Sequence, residues 1–348
     1  LAKNNILKNV LVVITKAHNK SKGMKRIGNL YEKICEIDNL YLAYNKASQG
    51  KEKSYGVRLF EKNLNNNINE LQKELISETY VTSEYSVFMI HDPKERLVYR
   101  LPFRDRIVHH AIMNILEPIW ISVFISNTYS CIKKRGIHAV LRDLKRDLKN
   151  VSDTQYCLKF DIRKFYPSIN HDILKVIIRK KIKDVKLLKL LDEIIDSAPG
   201  VPIGNYLSQF FANLYLTYFD HCIKEEKQVK YYYRYADDIV ILAQNKPYLQ
   251  DLYLEIDRYM KDNLKLQIKG NYQVFPIEKR GIDFVGYVFY HTHIRMRKSI
   301  KKRFCRKAAK LNKKDISILD YKKAIAPHIG WAKHCNSNNL LKKIIRYE

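Results

Sequence analysis

The sequence predicts an α+β fold with more than one lobe, on three observations. Several long segments carry apolar residues at helical spacing, such as Leu59, Phe60, Leu64, Ile68, Leu71 and Leu75. Shorter β-forming runs, 156–162 and 231–242, alternate apolar or aromatic residues with others and flank acidic residues. At 348 residues the chain exceeds a typical single domain, and with 46% hydrophobic residues, 25 Tyr and 13 Phe it can bury a substantial core.

The elements follow in order. Residues 28–50 read as helix-rich, ending at Ser48-Gln49-Gly50, and 58–76 as a helix. Tyr85 to Ile90 and Arg96 to Leu101 read as two strands around the turn His91-Asp92-Pro93. Ile107 to Ile121 reads as a helix on the core, and Gly136 to Leu148 as another with Lys and Arg on its outer face. A strand at 156–162 precedes a single long helix from Asp172 to Ile195, which Pro199-Gly200 breaks. A glycine loop then leads into a helix from Ser208 to Glu226. A hairpin at 231–242, a helix at 248–263 and strands at 273–278 and 283–290 follow, and the remainder is helical. There is no internal repeat and no low-complexity linker.

The chain begins at Leu1. Ile6 to Ile14 is apolar but broken by Lys8, with no small-residue cleavage site after it, so a signal peptide is not expected. Residues 1–23 read as an extension from an alternative start codon, or as foreign to the natural chain. No run reaches the roughly 18 apolar residues of a membrane span.

Net charge is +28, from 64 Lys and Arg against 36 Asp and Glu. An excess of that size points to a polyanionic partner, nucleic acid before an acidic membrane. Residues 291–348 hold 17 of the bases and 3 acids, including Lys301-Lys302-Arg303 and Lys313-Lys314. Phe304, Tyr321 and Trp331 are interspersed. Cations with rings suit a nucleic-acid clamp, although most of these rings read as the core of a small helical domain. None of the six cysteines forms a Cys-x-x-Cys pair, so neither zinc nor a disulfide framework is expected. His291 and His293 alternate along a possible strand, where a surface turn is the plainer reading than a metal site.

The most specific chemistry lies in three carboxylates. Asp237 and Asp238 sit between β-forming runs, at or near a hairpin turn. Two adjacent like charges cost energy unless a cation compensates, and a hard divalent ion with oxygen ligands would do so. A bare Asp-Asp pair is also an ordinary turn. Asp161, at the end of the strand 156–162, changes the balance. An Asp at a strand end and an Asp-Asp at a hairpin tip, in that order, can form a two-metal phosphoryl-transfer site.

These residues carry a resemblance. Phe160-Asp161-Ile162-Arg163-Lys164-Phe165-Tyr166 resembles motif A of reverse transcriptases, Tyr235-Ala236-Asp237-Asp238 their motif C, and Gly281 to Tyr287 their primer grip. Gly200-Val201-Pro202-Ile203-Gly204, running on to Leu216, is similar to motif B. Many relatives have Gln where this chain has Ile203. With Ser208-Gln209, Pro102 to Ala111 and Gly330-Trp331-Ala332-Lys333-His334, the pattern resembles reverse transcriptases of diversity-generating retroelements, from about Met24 to the end.

The resemblance implies a right-hand polymerase: an antiparallel palm, fingers, and a short helical thumb. N-terminal helices and fingers would occupy 24–150, palm 151–290 with a fingers insertion near 170–205, and thumb 291–348. Asp161, Asp237 and Asp238 would be catalytic. Asp161, Asp237 and the carbonyl of Ile162 would bind two Mg2+ ions, with Mn2+ as an alternative. Lys94 and Arg96 resemble the cations that grip the incoming triphosphate, with Arg100, Arg104 and Arg106 as competitors; Asp105 reads instead as part of a structural cluster. Tyr166 would lie under the deoxyribose and exclude a 2′-hydroxyl. Ile203 and Gly204 would approach the nascent pair, Gly204 letting backbone come close. Ile203 offers no hydrogen bond, which would weaken discrimination between bases. Ser208, Gln209, Gly286, Tyr287, Lys301, Lys302 and Arg303 would touch nucleic acid.

The implied function is RNA-directed DNA synthesis from a retroelement template RNA, error-prone at template adenines. Template RNA, cDNA or primer, dNTPs and a small basic oligomeric accessory protein would be its partners, and the enzyme would be cytoplasmic, whether bacterial, archaeal or phage-encoded. The rivals are a retron, group II intron-like or antiphage defence reverse transcriptase, and a catalytically silent RNA-binding scaffold.

Overall fold

The computed structural model describes residues 25–91 and 95–346. In chain order the main elements are α1 (Ile37–Ser48), α2 (Leu64–Ile76), β1 (Ser86–Ile90), β2 (Arg96–Arg100), α3 (Phe103–Ile121) and α4 (Ile137–Asp147). Then come β3 (Tyr156–Asp161), α5 (His171–Lys181), α6 (Val185–Asp196), α7 (Tyr206–Tyr215), β4 (Tyr231–Tyr235), β5 (Asp238–Ala243) and α8 (Lys246–Leu264). The last are β6 (Gln273–Pro276), β7 (Ile282–Phe284), β8 (Tyr287–Phe289), β9 (Ile294–Met296), α9 (Lys298–Asn312) and α10 (Ile318–Ala332). Helices and antiparallel strands together give the α+β class expected. No described helix is long and apolar enough to cross a membrane.

Two compact units divide the chain, and each is discontinuous: 1–126, 162–228 and 257–268 form the first, and 127–161, 229–256 and 269–348 the second. The first is mainly helical. Its core is built on α3, whose Ile107, Val108, Ala111, Ile112 and Leu116 are buried, with Trp120 against Phe210 and Phe211 of α7 at ring distances of 6.1 and 5.9 Å. β1 and β2 form a two-stranded hairpin in the register Ser86↔Arg100 to Ile90↔Arg96. Its tip, including Lys94, lies outside the described residues, as does the segment 1–23.

The long helix expected over 172–195 is two helices. Asp184 divides them, because its carboxylate accepts from the Leu187 amide at 3.1 Å and so caps α6. The same carboxylate accepts from the amides of Leu30 (2.6 Å) and Tyr31 (3.0 Å), fixing a second helix start. The expected helix over 208–226 instead begins at Tyr206 and ends at Tyr215. A short helix Thr217–His221 and a π-helical turn Cys222–Glu226 follow it.

The second unit holds a four-stranded sheet in the order β4-β5-β3-β6, all pairs antiparallel, and a separate three-stranded sheet β7-β8-β9. The strand expected over 283–290 is therefore a hairpin, turned at Val285 (φ 42°) and Gly286 (φ 91°), and belongs to another sheet from β6. Alternation places Cys157 on one face of β3, with Val240 and Leu242 of β5 and Tyr231 and Tyr233 of β4. These pack with Val140 and Leu144 of α4, with Leu148 at its C-terminal end, and with Phe284, Tyr287 and Phe289, all buried in one core. A second small core joins α9 and α10 through Phe304, Ala308, Leu311, Tyr321 and Ile325. Phe304 and Tyr321 are thus core residues, as expected for most of the rings in this segment.

Candidate active site

One end of the four-stranded sheet is acidic. Asp161 and Asp238 are direct cross-strand partners of β3 and β5. Directly opposed residues of an antiparallel pair project to the same face, so their carboxylates share one side. Tyr235 pairs with Asp238, which leaves a two-residue loop of Ala236 and Asp237. Asp237 therefore sits at the turn itself, and Asp238 opens the returning strand. Ala236 is left-handed, φ 54°, a conformation that costs a residue with a Cβ about 1–2 kcal/mol.

Arg234, fully buried on β4, holds that turn. Its Nη1 donates to the Ala236 carbonyl at 3.2 Å. Its backbone is fixed on the other side, with Arg234 N donating to Asn127 O at 3.1 Å and Tyr129 N to Arg234 O at 3.0 Å. Sequence reasoning missed this residue. Its signal was a charge inside a run of four tyrosines.

Two lysines face the carboxylates. Lys269 Nζ lies 3.0 Å from Asp161 Oδ2, and the Lys269 amide donates to Asp161 O at 2.9 Å. Lys159, two residues before Asp161 and so on the same face of β3, lies 3.3 Å from Asp238. It also donates to the Asp283 carbonyl and stands 5.7 Å from the Phe284 ring centre. Burial pushes the Asp238 carboxyl up to about 6; Lys159 opposes the rise, and Asp161 and Asp237 add to it. Asp238 Oδ1 is buried and makes no hydrogen bond, although the Lys159 ammonium is within ion-pair range.

Among the described residues, no group of three or more His, Cys, Asp or Glu is gathered as a ready metal cage. The donor chemistry nevertheless suits a hard cation. Carboxylate oxygens are the right ligands, the cluster carries crowded negative charge, and one of its buried oxygens lacks a hydrogen bond. A divalent ion would lower such a carboxyl's pKa again.

The remaining candidates lie in the first unit. The Tyr166 carbonyl accepts from the Val201 amide at 3.0 Å. A Cβ on Gly200 (φ 62°) would stand 2.6 Å from Tyr166 O, so only glycine allows this approach. Ile203 O accepts from Tyr99 N at 2.9 Å, which ties the motif B loop to β2. Gly204 (φ 120°) passes so close to Tyr99 that a Cβ would meet its carbonyl oxygen at 2.4 Å. Gly204 thus lies directly against the β1–β2 hairpin. The unit thus brings Tyr166, Ile203, Gly204 and the base of β2 into one continuous packing. His171 pins the same loop, its ring nitrogens 3.1 Å from Asp196 Oδ1 and 2.7 Å from Gly200 O. Ile203 is half-buried, Ser208 buried and Gln209 exposed.

Arg96 is exposed on β2. Arg104 pairs with Glu74, and Asp105 is buried, as a structural role predicts. Its partners are the Tyr80 hydroxyl at 2.8 Å and the Ser83 amide at 3.1 Å, not the flanking arginines.

Lys301, Lys302 and Arg303 are exposed on α9, away from its buried Phe304 stripe. Tyr287 differs from expectation. It is buried in the core and its hydroxyl donates to Trp331 O at 3.0 Å, because β8 turns that side chain inward. Gly286 lies under the Trp331 ring, where a Cβ would come within 2.5 Å. Both are packing positions. His291 sits in a turn near Thr154, its Nε2 2.9 Å from the Thr154 carbonyl.

Residues 91–289 match the family model of reverse transcriptase (RNA-dependent DNA polymerase). The chain is 24% identical over 229 residues to Protein YkfC of Escherichia coli, covering 53% of this chain and 60% of that one. It is 27% identical over 136 residues to the group II intron-encoded protein LtrA of Lactococcus lactis, covering 36% and 22%. The chain thus spans less than two thirds of these relatives. A telomerase structure from Candida tropicalis is similar in fold, with a TM-score of 0.50 at 12% identity, over 80% of this chain and 64% of that one.

Proposed function

This chain belongs to the reverse transcriptase (RNA-dependent DNA polymerase) family, and on that footing we propose that it synthesises DNA on an RNA template. The observation that carries the reading is the acidic strand end: Asp161 directly opposite Asp238, with Asp237 in the two-residue loop between β4 and β5. The primer 3′-hydroxyl attacks the α-phosphate of a dNTP; the new ester bond forms and pyrophosphate leaves.

Asp161, Asp237 and the carbonyl of Ile162 would hold two Mg2+ ions, which when bound supply charge neutralisation and Lewis acidity to phosphoryl transfer. Asp238, paired with Lys159, shapes the same acidic end. Arg234 keeps the loop that carries Asp237 in its left-handed turn. Lys94 and Arg96 grip the triphosphate. Tyr166 and the Ile203–Gly204 loop, held to each other through Val201 and Tyr99, form a stiff wall against the deoxyribose and the nascent pair. Lys301, Lys302 and Arg303 neutralise backbone phosphates. In polymerase terms, the β1–β2 hairpin is the fingers, the four-stranded sheet the palm, and α9 with α10 the thumb.

For the subtype, we favour a diversity-generating retroelement enzyme, error-prone at template adenine and working with a small basic accessory protein in the cytoplasm. Ile203 in place of a Gln, Ser208-Gln209 and the segment Gly330 to His334 support this. A group II intron-like enzyme is the second reading, favoured by the likeness to LtrA. Sequencing the cDNA that purified protein makes on RNA tests both levels. DNA complementary to the RNA is the expected product. Errors concentrated opposite adenine favour the first subtype, and evenly low errors the second. No RNA-dependent product would remove the polymerase reading.

A further inference from the structure

The second unit contains a cavity of about 390 Å3 that none of the assigned site residues lines. One wall is the outer stripe of α4. His138, Arg142 and Lys145 fall at i, i+4 and i+7 there, so one helix face presents all three. The other wall is the segment after α10, with Lys333, His334 and Asn336. These two walls are nearly two hundred residues apart in sequence, yet both are basic. The cavity's lining includes no acid.

The walls are firmly built. α4 is anchored by Val140, Leu141 and Leu144, all buried in the core of the unit. The later segment is clamped to β9 by two hydrogen bonds: Asn336 N to Ile294 O at 2.9 Å, and Ile294 N to Asn336 Oδ1 at 2.9 Å. The His138 and His334 rings face each other with centres 4.2 Å apart. Burial, His138 and the Lys333 ammonium together hold His334 below its ordinary pKa. The nearest acid on α4, Asp143, is already engaged by Arg142 (3.2 Å), Arg146 (3.6 Å) and the Tyr129 hydroxyl (3.0 Å). Lys145 and Lys333 are exposed. Lys145, Lys333 and the two imidazoles are thus collected in one concavity where their own repulsion opposes them, while Arg142 beside them is shared with Asp143. A phosphate group would turn that repulsion into attraction, with ammonium, guanidinium and imidazole N–H groups as charge-assisted donors.

We propose that this cavity is a second nucleic-acid contact, gripping backbone phosphates through His138, Arg142, Lys145, Lys333 and His334. The inference rests on the proposal that the chain binds an RNA template, and assigns it a holding site distinct from the carboxylate end. A phosphodiester is preferred to a free nucleotide because the lining offers no aromatic ring for a base other than the two imidazoles, which already face each other.

The test is fluorescence anisotropy of a labelled RNA·DNA hybrid across about 50 to 200 mM salt. Wild type is compared with Lys145→Gln/Lys333→Gln and with His138→Gln/His334→Gln, each checked by thermal melt. Each phosphate contact contributes about 0.9 to the logarithmic salt slope on duplex. Losing two should flatten the slope by about 1.8. The affinity lost over that fourfold salt range then shrinks about tenfold relative to wild type. The histidine pair should weaken binding while changing the slope less. Slopes and affinities identical to wild type in both variants would overturn the proposal. So would displacement of the hybrid by inorganic phosphate at fixed ionic strength with variant slopes unchanged, which would mark a free-phosphate site. Primer extension is measured on the same proteins. If wild type fails to extend but the slope difference persists, the polymerase reading fails and this site stands.

Discussion

Replacing Gly204 with alanine should uncouple the motif B loop from the β1–β2 hairpin. Gly204 has φ 120°, and an added Cβ would lie 2.4 Å from Tyr99 O, 3.3 Å from Val98 Cγ1 and 3.4 Å from Tyr99 C. The first of these is a backbone atom of β2, which is paired to β1 through Val87↔Tyr99 and cannot swing aside as a side chain would. Two costs follow. Holding a residue with a Cβ in so sparsely populated a region costs about 1–3 kcal/mol. Moving the loop off Tyr99 loses the 2.9 Å bond from Tyr99 N to Ile203 O, worth about 0.5–1.5 kcal/mol net. The expected sum is about 1.5–4.5 kcal/mol, a large share of the ~5–15 kcal/mol stability of a typical protein. Gly50 supplies the control. It also has a positive φ, 72°, but nothing lies within 4 Å of its would-be Cβ, so Gly50→Ala should cost only the backbone term. Urea denaturation of both variants separates clash from conformation, and primer extension should show a raised dNTP KM for Gly204→Ala alone. If Gly204→Ala costs no more than Gly50→Ala and leaves the dNTP KM unchanged, the loop-to-hairpin coupling is wrong.

Other predictions concern the Asp184 cap, the basic face of α9 and fidelity. Asp184→Ala removes acceptors from two helix starts and should cost about 2 kcal/mol, roughly 1 per cap, read by urea melt. Burial opposes ionisation of Asp184, but the amides of Leu30, Leu187 and Tyr31 outweigh it and lower its pKa. Its contribution should therefore be full above the ordinary aspartate value, near 4, and fade as pH falls below it; wild-type and variant stabilities that fail to converge in acid would refute this. Neutralising Lys301, Lys302 and Arg303 together should flatten the salt dependence of RNA binding by about two to three units of logarithmic slope. An unchanged slope would remove α9 from the clamp. Ile203→Gln should lower misincorporation opposite template adenine more than opposite other bases, by about ten- to two-hundredfold at most. An adenine bias indifferent to the substitution would place its cause elsewhere.

Much of the acidic site was legible because it is local. Asp161, Asp237 and Asp238 each follow or open a run whose alternation reads as a strand, so their placement at strand ends could be read from the sequence. The turn at Ala236–Asp237 was expected only approximately, and its cross-strand register with Asp161 is a long-range fact. Arg234 carried only a weak signal, a charge inside a run of four tyrosines, and nothing in the sequence tells which carbonyl it serves. Lys159 had a weak signal, a charge two residues before Asp161 on a half-buried strand. The division of 172–195 could have been found from Asp184 standing three residues before Leu187, a capping pattern. The separate sheet β7-β8-β9 could not, because which strands pair is a long-range fact that the pattern along one strand does not carry. Tyr287 was read as reaching nucleic acid, but one residue of register decides which face a strand side chain takes, and the Val285–Gly286 turn sends it inward.

The most direct measurement of the central claim is primer extension on an RNA template by purified wild type and Asp237→Asn, each with Mg2+ and dNTPs and each checked by thermal melt and RNA binding. The substitution removes one negative charge at the loop and leaves the residue's size unchanged. The account predicts full-length DNA from wild type and extension reduced to background in Asp237→Asn, with melting temperature and RNA affinity close to wild type. Near-normal extension by a correctly folded Asp237→Asn protein would contradict the assignment of this strand end as the catalytic centre.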